Sequence, residues 1–140
     1  MSAEPESAVP APSPARMPYV LVVDDESDIR SLLCEYFEAQ SFRVTSATEG
    51  WQAVVQAEGL KVDLLICDVM MPGVKGSGID AYRMLRESRF VRRDLPIIFV
   101  TAMPVDQVKA ALPADPLVRV FPKPIDFAAL RAAVRELCGR

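Results

Sequence analysis

Four short apolar runs mark this chain, and each ends on a polar residue. Val20-Leu21-Val22-Val23 precedes Asp24-Asp25, and Leu64-Leu65-Ile66-Cys67 precedes Asp68. Ile97-Ile98-Phe99-Val100 precedes Thr101, and Val118-Arg119-Val120-Phe121-Pro122 precedes Lys123. Continuous Val/Ile/Leu-rich runs separated by helix-length segments predict strands of a parallel sheet buried on both faces. The carboxyl ends of such strands share one edge, where ligands bind. Three carboxylates, a hydroxyl and an ammonium are therefore expected to meet there.

The segments between the runs read as helices and one further strand. Ile29, Leu32, Leu33, Tyr36 and Phe37 form one apolar stripe on a helix from about Asp28 to Gln40. Phe42–Ser46 alternates as a half-exposed edge strand does. Ser46 with Glu49 suggests a capping box opening a helix to about Glu58, which carries Trp51, Val54 and Val55. Asp63–Cys67, Pro96–Val100 and Leu117–Phe121 are the remaining strands. Helices follow over about Ile79–Ser88 and Val105–Leu112, the second stopped by Pro113 and Pro116. Asp126 caps a closing helix with Phe127, Leu130, Val134 and Leu137 inward. Right-handed crossovers put helices on both faces of the sheet.

Composition narrows the chemistry. The 140 residues, 51% apolar, suit one domain once Met1–Pro18 is set aside as a leader, which holds five of the twelve prolines and too little apolar surface to order itself. This leader lacks the charged start and apolar stretch of a signal peptide. A net charge of -3 gives no electrostatic case for nucleic acid, and no apolar stretch is long enough to cross a bilayer. Three widely spaced cysteines (Cys34, Cys67, Cys138) read as buried thiols of a reducing cytoplasm. There is no histidine, which removes most zinc sites, any Ser-His or Cys-His nucleophile pair and any phosphohistidine on this chain.

Each polar terminus has an ordinary explanation on its own. Asp24, Asp25 or Ser27 could cap the next helix, Thr101 suits a strand by propensity, and a strand-end lysine usually reaches into water. Those explanations leave it unexplained that every inner strand's polar end falls on one edge. Adjacent carboxylates suit a hard divalent cation, and a third at Asp68 makes a cation a natural relief of their repulsion.

These residues identify the chain as similar to the receiver domains of bacterial two-component response regulators. Leu21-Val22-Val23-Asp24-Asp25-Glu26, Asp68-Val69-Met70-Met71-Pro72-Gly73, Thr101-Ala102 and Lys123-Pro124 stand in the family's order, over about Tyr19 to Cys138. Asp68 lies 43 residues after Asp25 and Lys123 lies 22 after Thr101, as in the family. The resemblance implies a flavodoxin-like α/β fold: a doubly wound five-stranded parallel sheet of order 2-1-3-4-5 in a receiver domain over residues 19–140. It implies Asp68 as phosphoacceptor, served by a sensor histidine kinase or a histidine phosphotransfer protein. Asp25, Asp68 and the backbone carbonyl of Met70 would hold Mg²⁺, with Asp24 helping through water. Lys123 would pair with one phosphoryl oxygen and the Thr101 hydroxyl would meet another. With no output domain after the closing helix, the expected output is binding of a downstream protein, and the expected catalysis is limited to the chain's own phosphorylation and dephosphorylation.

Departures from the family are expected to matter for output. Val120 stands where an aromatic is common, and Phe121 falls on the opposite face. The prolines at 104, 113 and 116 clip the helix after Thr101, which points to output through another surface or a stiffened one. Lys75-Gly76-Ser77-Gly78 resembles a lengthened, loosened loop beside the site. Met70 and Met103 stand where polar residues often position water, which favours slow self-dephosphorylation. Two rival functions remain at this level. One is an aspartate-nucleophile phosphatase, which wants Asp-x-Asp on the first strand and a cap; the other is a degenerate receiver that binds partners without phosphorylation.

Overall fold

A computed structural model describes residues 17–69 and 77–139. The leader, apart from Met17 and Pro18, and the segment from Met70 to Gly76 lie outside the described residues. Five strands and five helices alternate: β1 Tyr19–Val23, α1 Ser27–Ala39, β2 Arg43–Ala47, α2 Gly50–Gly59, β3 Leu64–Asp68, α3 Gly78–Glu87, β4 Ile97–Thr101, α4 Val105–Ala110, β5 Val118–Pro122 and α5 Phe127–Cys138. The strands pair in parallel in the order β2-β1-β3-β4-β5, so the expected flavodoxin-like topology is the one adopted.

Alternation along the strands divides the core in two. Leu21, Val23, Leu65, Cys67, Ile97 and Phe99 face α2, α3 and α4. Val20, Val22, Leu64, Ile66 and Ile98 face α1 and α5. β1, β3 and β4 are buried along nearly their whole length, which is why they read as unbroken apolar runs.

Four strands, β2 to β5, end one residue later than expected, and the shift matters. β3 ends on Asp68 itself and β4 on Thr101, each paired across the ladder, Asp68 with Val100 and Thr101 with Pro122. Ladder hydrogen bonds come from the backbone, so a polar side chain at the last rung costs the strand nothing. Pro18, assigned by composition to the leader, is buried, and its carbonyl accepts from Arg43 N at 2.9 Å.

The expected capping box at Ser46 and Glu49 does not form. β1–β2 pairing extends to Val23 opposite Ala47, which draws Ser46 into the strand, and α2 starts at Gly50 with no side-chain cap. A capping box forms instead at Ser77 and Asp80, opening α3. Asp126 caps α5 as expected, its Oδ1 accepting from Ala128 N and Ala129 N. Trp51, Val55 and Leu32, read as core-facing, are about half exposed. Small residues Gly50, Ala53 and Ala57 take the inner face of α2 with Val54, which lets that helix lie close to α3. Among the cysteines only Cys67 is fully buried; Cys34 and Cys138 are half-buried, and none of the three is in a disulfide.

Candidate functional site

The strand ends gather the acidic residues that the sequence singled out. Carboxylate oxygens of Asp24, Asp25 and Asp68 all lie within 4.8 Å of one another. Asp24 leaves β1 and Asp68 closes β3, and both are buried. Hydrogen bonds across the strand ends set their places: Asp24 N donates to Ala47 O at 3.2 Å, and Val69 N to Val100 O at 3.2 Å. Asp24 is doubly fixed, since its Oδ1 accepts from Glu26 N at 2.9 Å and its carbonyl from Arg30 at 2.8 Å. The acid pair therefore does not cap α1; Glu26 occupies the N-cap position, without a side-chain cap bond.

Lys123 reaches this cluster from the end of β5. Its backbone N donates to Thr101 O at 2.8 Å, which locks the two residues side by side. The ammonium donates to Asp68 Oδ2 at 3.0 Å, Asp24 Oδ2 at 3.1 Å and Glu26 Oε1 at 3.2 Å. Burial alone would lower the Lys123 pKa, but the bonds to Asp68 and Asp24 outweigh it and hold the group above the ordinary lysine value. Lys123 therefore stays charged at every physiological pH. The Lys123-Pro124 peptide bond is cis.

Thr101 is buried, and its Oγ1 accepts from Met103 N at 2.8 Å. The hydroxyl's own contact to Met103 O is 3.5 Å, too long for a strong O–H···O bond, so its proton remains open to another acceptor. Beneath the site, burial and then the charges of Asp68 and Asp24 push the Cys67 thiol far up, which excludes it as a nucleophile. Met103 packs against the α2–α3 side of the core. Met70, whose carbonyl was assigned to the metal, and Lys75-Gly76 lie outside the described residues.

An oxygen-only set of three carboxylates, two of them buried, beside a single ammonium fits a hard, small divalent cation, because the clustered negative charge is otherwise self-repelling. Two features escaped the sequence reading. One is the Glu26 contact to Lys123, made across 97 residues of chain. The other is Gly78, which is no loop residue but the first residue of α3. A Cβ there would stand 2.5 Å from Asp68 O and 3.0 Å from Val69 Cα. Its N donates to Val69 O at 3.0 Å, so α3 begins hard against the residue that carries the central carboxylate.

Comparison with known proteins places the chain in a family. Residues 20–135 match the family model of the response regulator receiver domain. The chain belongs to that family. Among curated relatives, response regulator SaeR of Staphylococcus aureus is 35% identical over 86 residues, 61% of this chain and 35% of that protein. The aligned part of the chain thus spans about a third of that relative's length. The receiver domain of a sensor histidine kinase from Pseudomonas aeruginosa, solved with a magnesium ion in its active-site cleft, superposes with a TM-score of 0.75 at 25% identity, covering 89% of this chain and 100% of that one. Response regulator TrrA of Thermotoga maritima, solved with Mg²⁺ and beryllofluoride, superposes at 0.70 with 31% identity, covering 86% and 99%. Chemotaxis protein CheY4 of Vibrio cholerae shares the fold, with a TM-score of 0.77 at 24% identity and coverage of 87% and 99%.

Proposed function

We propose that this receiver domain accepts a phosphoryl group on Asp68 from a phosphohistidine of a sensor histidine kinase or histidine phosphotransfer protein, and signals by binding a downstream protein when phosphorylated. The observation that carries it is the buried Asp68 carboxylate, within 4.8 Å of two more and hydrogen-bonded to Lys123 at 3.0 Å. An oxygen of Asp68 attacks phosphorus in line, the phosphorus–nitrogen bond breaks, and its electron pair returns to the donor imidazole. Lys123 stays charged and meets a phosphoryl oxygen; the open proton of Thr101 meets another.

Asp24, Asp25 and Asp68, with the Met70 carbonyl, would hold Mg²⁺. When bound, Mg²⁺ neutralises charge that otherwise repels an incoming phosphate. Positioning and neutralisation are what phosphoryl transfer needs most, and a rigid sheet edge supplies the first. The catalysis proposed is confined to the chain's own phosphorylation and dephosphorylation. Three cysteines outside any disulfide support a reducing cytoplasm as its setting. Among the described residues no helix is long and apolar enough to cross a membrane.

The test is labelling with an acyl phosphate and Mg²⁺, comparing wild type with Asp68→Asn. Label on wild type and none on the variant is expected. Label that persists on Asp68→Asn refutes the assignment, and no label on wild type favours a degenerate receiver.

A further inference from the structure

The Lys123 ammonium has three N–H donors and spends all three on carboxylates, those of Asp68, Asp24 and Glu26. These acceptors differ in their freedom to leave. The Asp24 side chain is fully buried and its other oxygen is held by Glu26 N. The Asp68 side chain is 4% exposed. Glu26 is 60% exposed at the rim, and no cap bond ties its side chain to α1. It alone can swing into water at little cost.

From this geometry we infer that Glu26 is a displaceable acceptor, which occupies Lys123 while Asp68 is unmodified and yields its place when the phosphoryl group arrives. The inference rests on the proposal that Asp68 is the phosphoacceptor. The share of the ammonium now held by Asp68 can pass to the new group. That group also brings further negative charge into a ring of carboxylates sharing one lysine. Like charges bonded to one ammonium repel, and the exposed member of the ring gives way. Glu26 is thus a positioning residue: it keeps Lys123 over the site at rest and sets how strongly an anion must compete for it.

The inference predicts opposite effects on cation and anion. Glu26→Gln keeps the shape and an acceptor oxygen but removes the charge. In the full chain with saturating Mg²⁺, the variant should bind beryllofluoride roughly two- to fivefold tighter, the range an exposed ion pair commands. The gain should shrink at high salt, where exposed charges are screened. With acetyl phosphate as donor, the half-saturating concentration should fall while the limiting rate holds. Mg²⁺ alone should bind more weakly. In wild type, the carbon signal of the Glu26 carboxylate should move toward that of a free glutamate when beryllofluoride is added. Unchanged or weaker beryllofluoride binding by Glu26→Gln, or a Glu26 carboxylate signal that does not respond, overturns the inference. Asp68→Asn separates the two levels. If it abolishes labelling while Glu26→Gln behaves as wild type, only the Glu26 role falls; if label survives on Asp68→Asn, the phosphoacceptor assignment falls and takes this role with it.

Discussion

Gly78→Ala probes the close approach of α3 to the end of β3. Helix propensity alone predicts a gain, since alanine exceeds glycine by about 1 kcal/mol inside a helix. The structure predicts a loss. A Cβ at 78 would sit 2.5 Å from Asp68 O, 3.0 Å from Val69 Cα and 3.2 Å from Asp68 C, and all three atoms are backbone. No rotamer change relieves such contacts. Reaching ordinary separation from the carbonyl requires α3 and β3 to part by about 0.9 Å. Overpacking of this kind costs about 1–3 kcal/mol, so after the propensity gain the net expectation is a destabilisation of up to about 2 kcal/mol. Because the displaced carbonyl belongs to Asp68, function should suffer more than stability; misplacement near 1 Å can cost about a hundredfold in rate. Urea denaturation measures the first effect and the rate of acetyl phosphate labelling the second. Gly59→Ala is the control: it ends α2 with no atom within 4 Å of its would-be Cβ, and should be neutral or slightly stabilising. If Gly78→Ala is as stable as wild type and labels at the same rate, the close contact and the reasoning built on it are wrong.

Other outcomes follow from the same geometry. Asp25→Asn removes a carboxylate that makes no hydrogen bond or ion pair among the described residues and adds to the repulsion at the site; it should raise stability without metal by about 0.5–1 kcal/mol and lose most of the stabilisation Mg²⁺ gives wild type in thermal melts, a common trade at functional sites. Asp115 fastens the segment before β5 to α3, accepting from Tyr82 Oη at 2.8 Å, Arg86 Nε at 3.0 Å and Leu117 N at 2.9 Å. Burial raises its pKa, but those bonds together hold it below the ordinary aspartate value. Its contribution is therefore full above the unfolded pKa of about 3.9 and is lost as pH falls through the lower folded value. Asp115→Asn should cost about 1–3 kcal/mol in urea melts at neutral pH, and the gap to wild type should close toward pH 3; a gap that persists at low pH would refute the ionic role. Val120 packs on the α2–α3–α4 side and Phe121 on the α1–α5 side, so no ring stands where relatives carry their switch aromatic. Hydrogen exchange over Val105–Phe121 should accordingly change little on adding Mg²⁺ and beryllofluoride, whereas strong change there would restore the usual output face.

Much of this protein was legible in its sequence because the signals were local. Strands buried on both faces demand unbroken apolar runs, and parallel pairing sends their ends to one edge, so the meeting of Asp24, Asp25, Asp68, Thr101 and Lys123 followed from order alone. The α5 cap at Asp126 was equally local, a carboxylate two and three residues before the amides it accepts. Where two local signals competed, tertiary pairing decided. Ser46 carries a cap pattern, yet the ladder with β1 claimed it for β2. The apolar character of Trp51 and Val55 suggested burial, but Gly50, Ala53, Val54 and Ala57 take the inner face of α2 and leave both outside. Gly76 and Gly78 read alike as loop residues, and only the packing of α3 on Asp68 reveals that Gly78 is there for want of a Cβ. The division of Lys123 among three carboxylates was beyond the sequence as well. Sequence sets which groups can reach a site, through strand order and alternation. How an ammonium is shared at 3 Å depends on side chains brought together from 97 residues away, and only the folded chain fixes those distances.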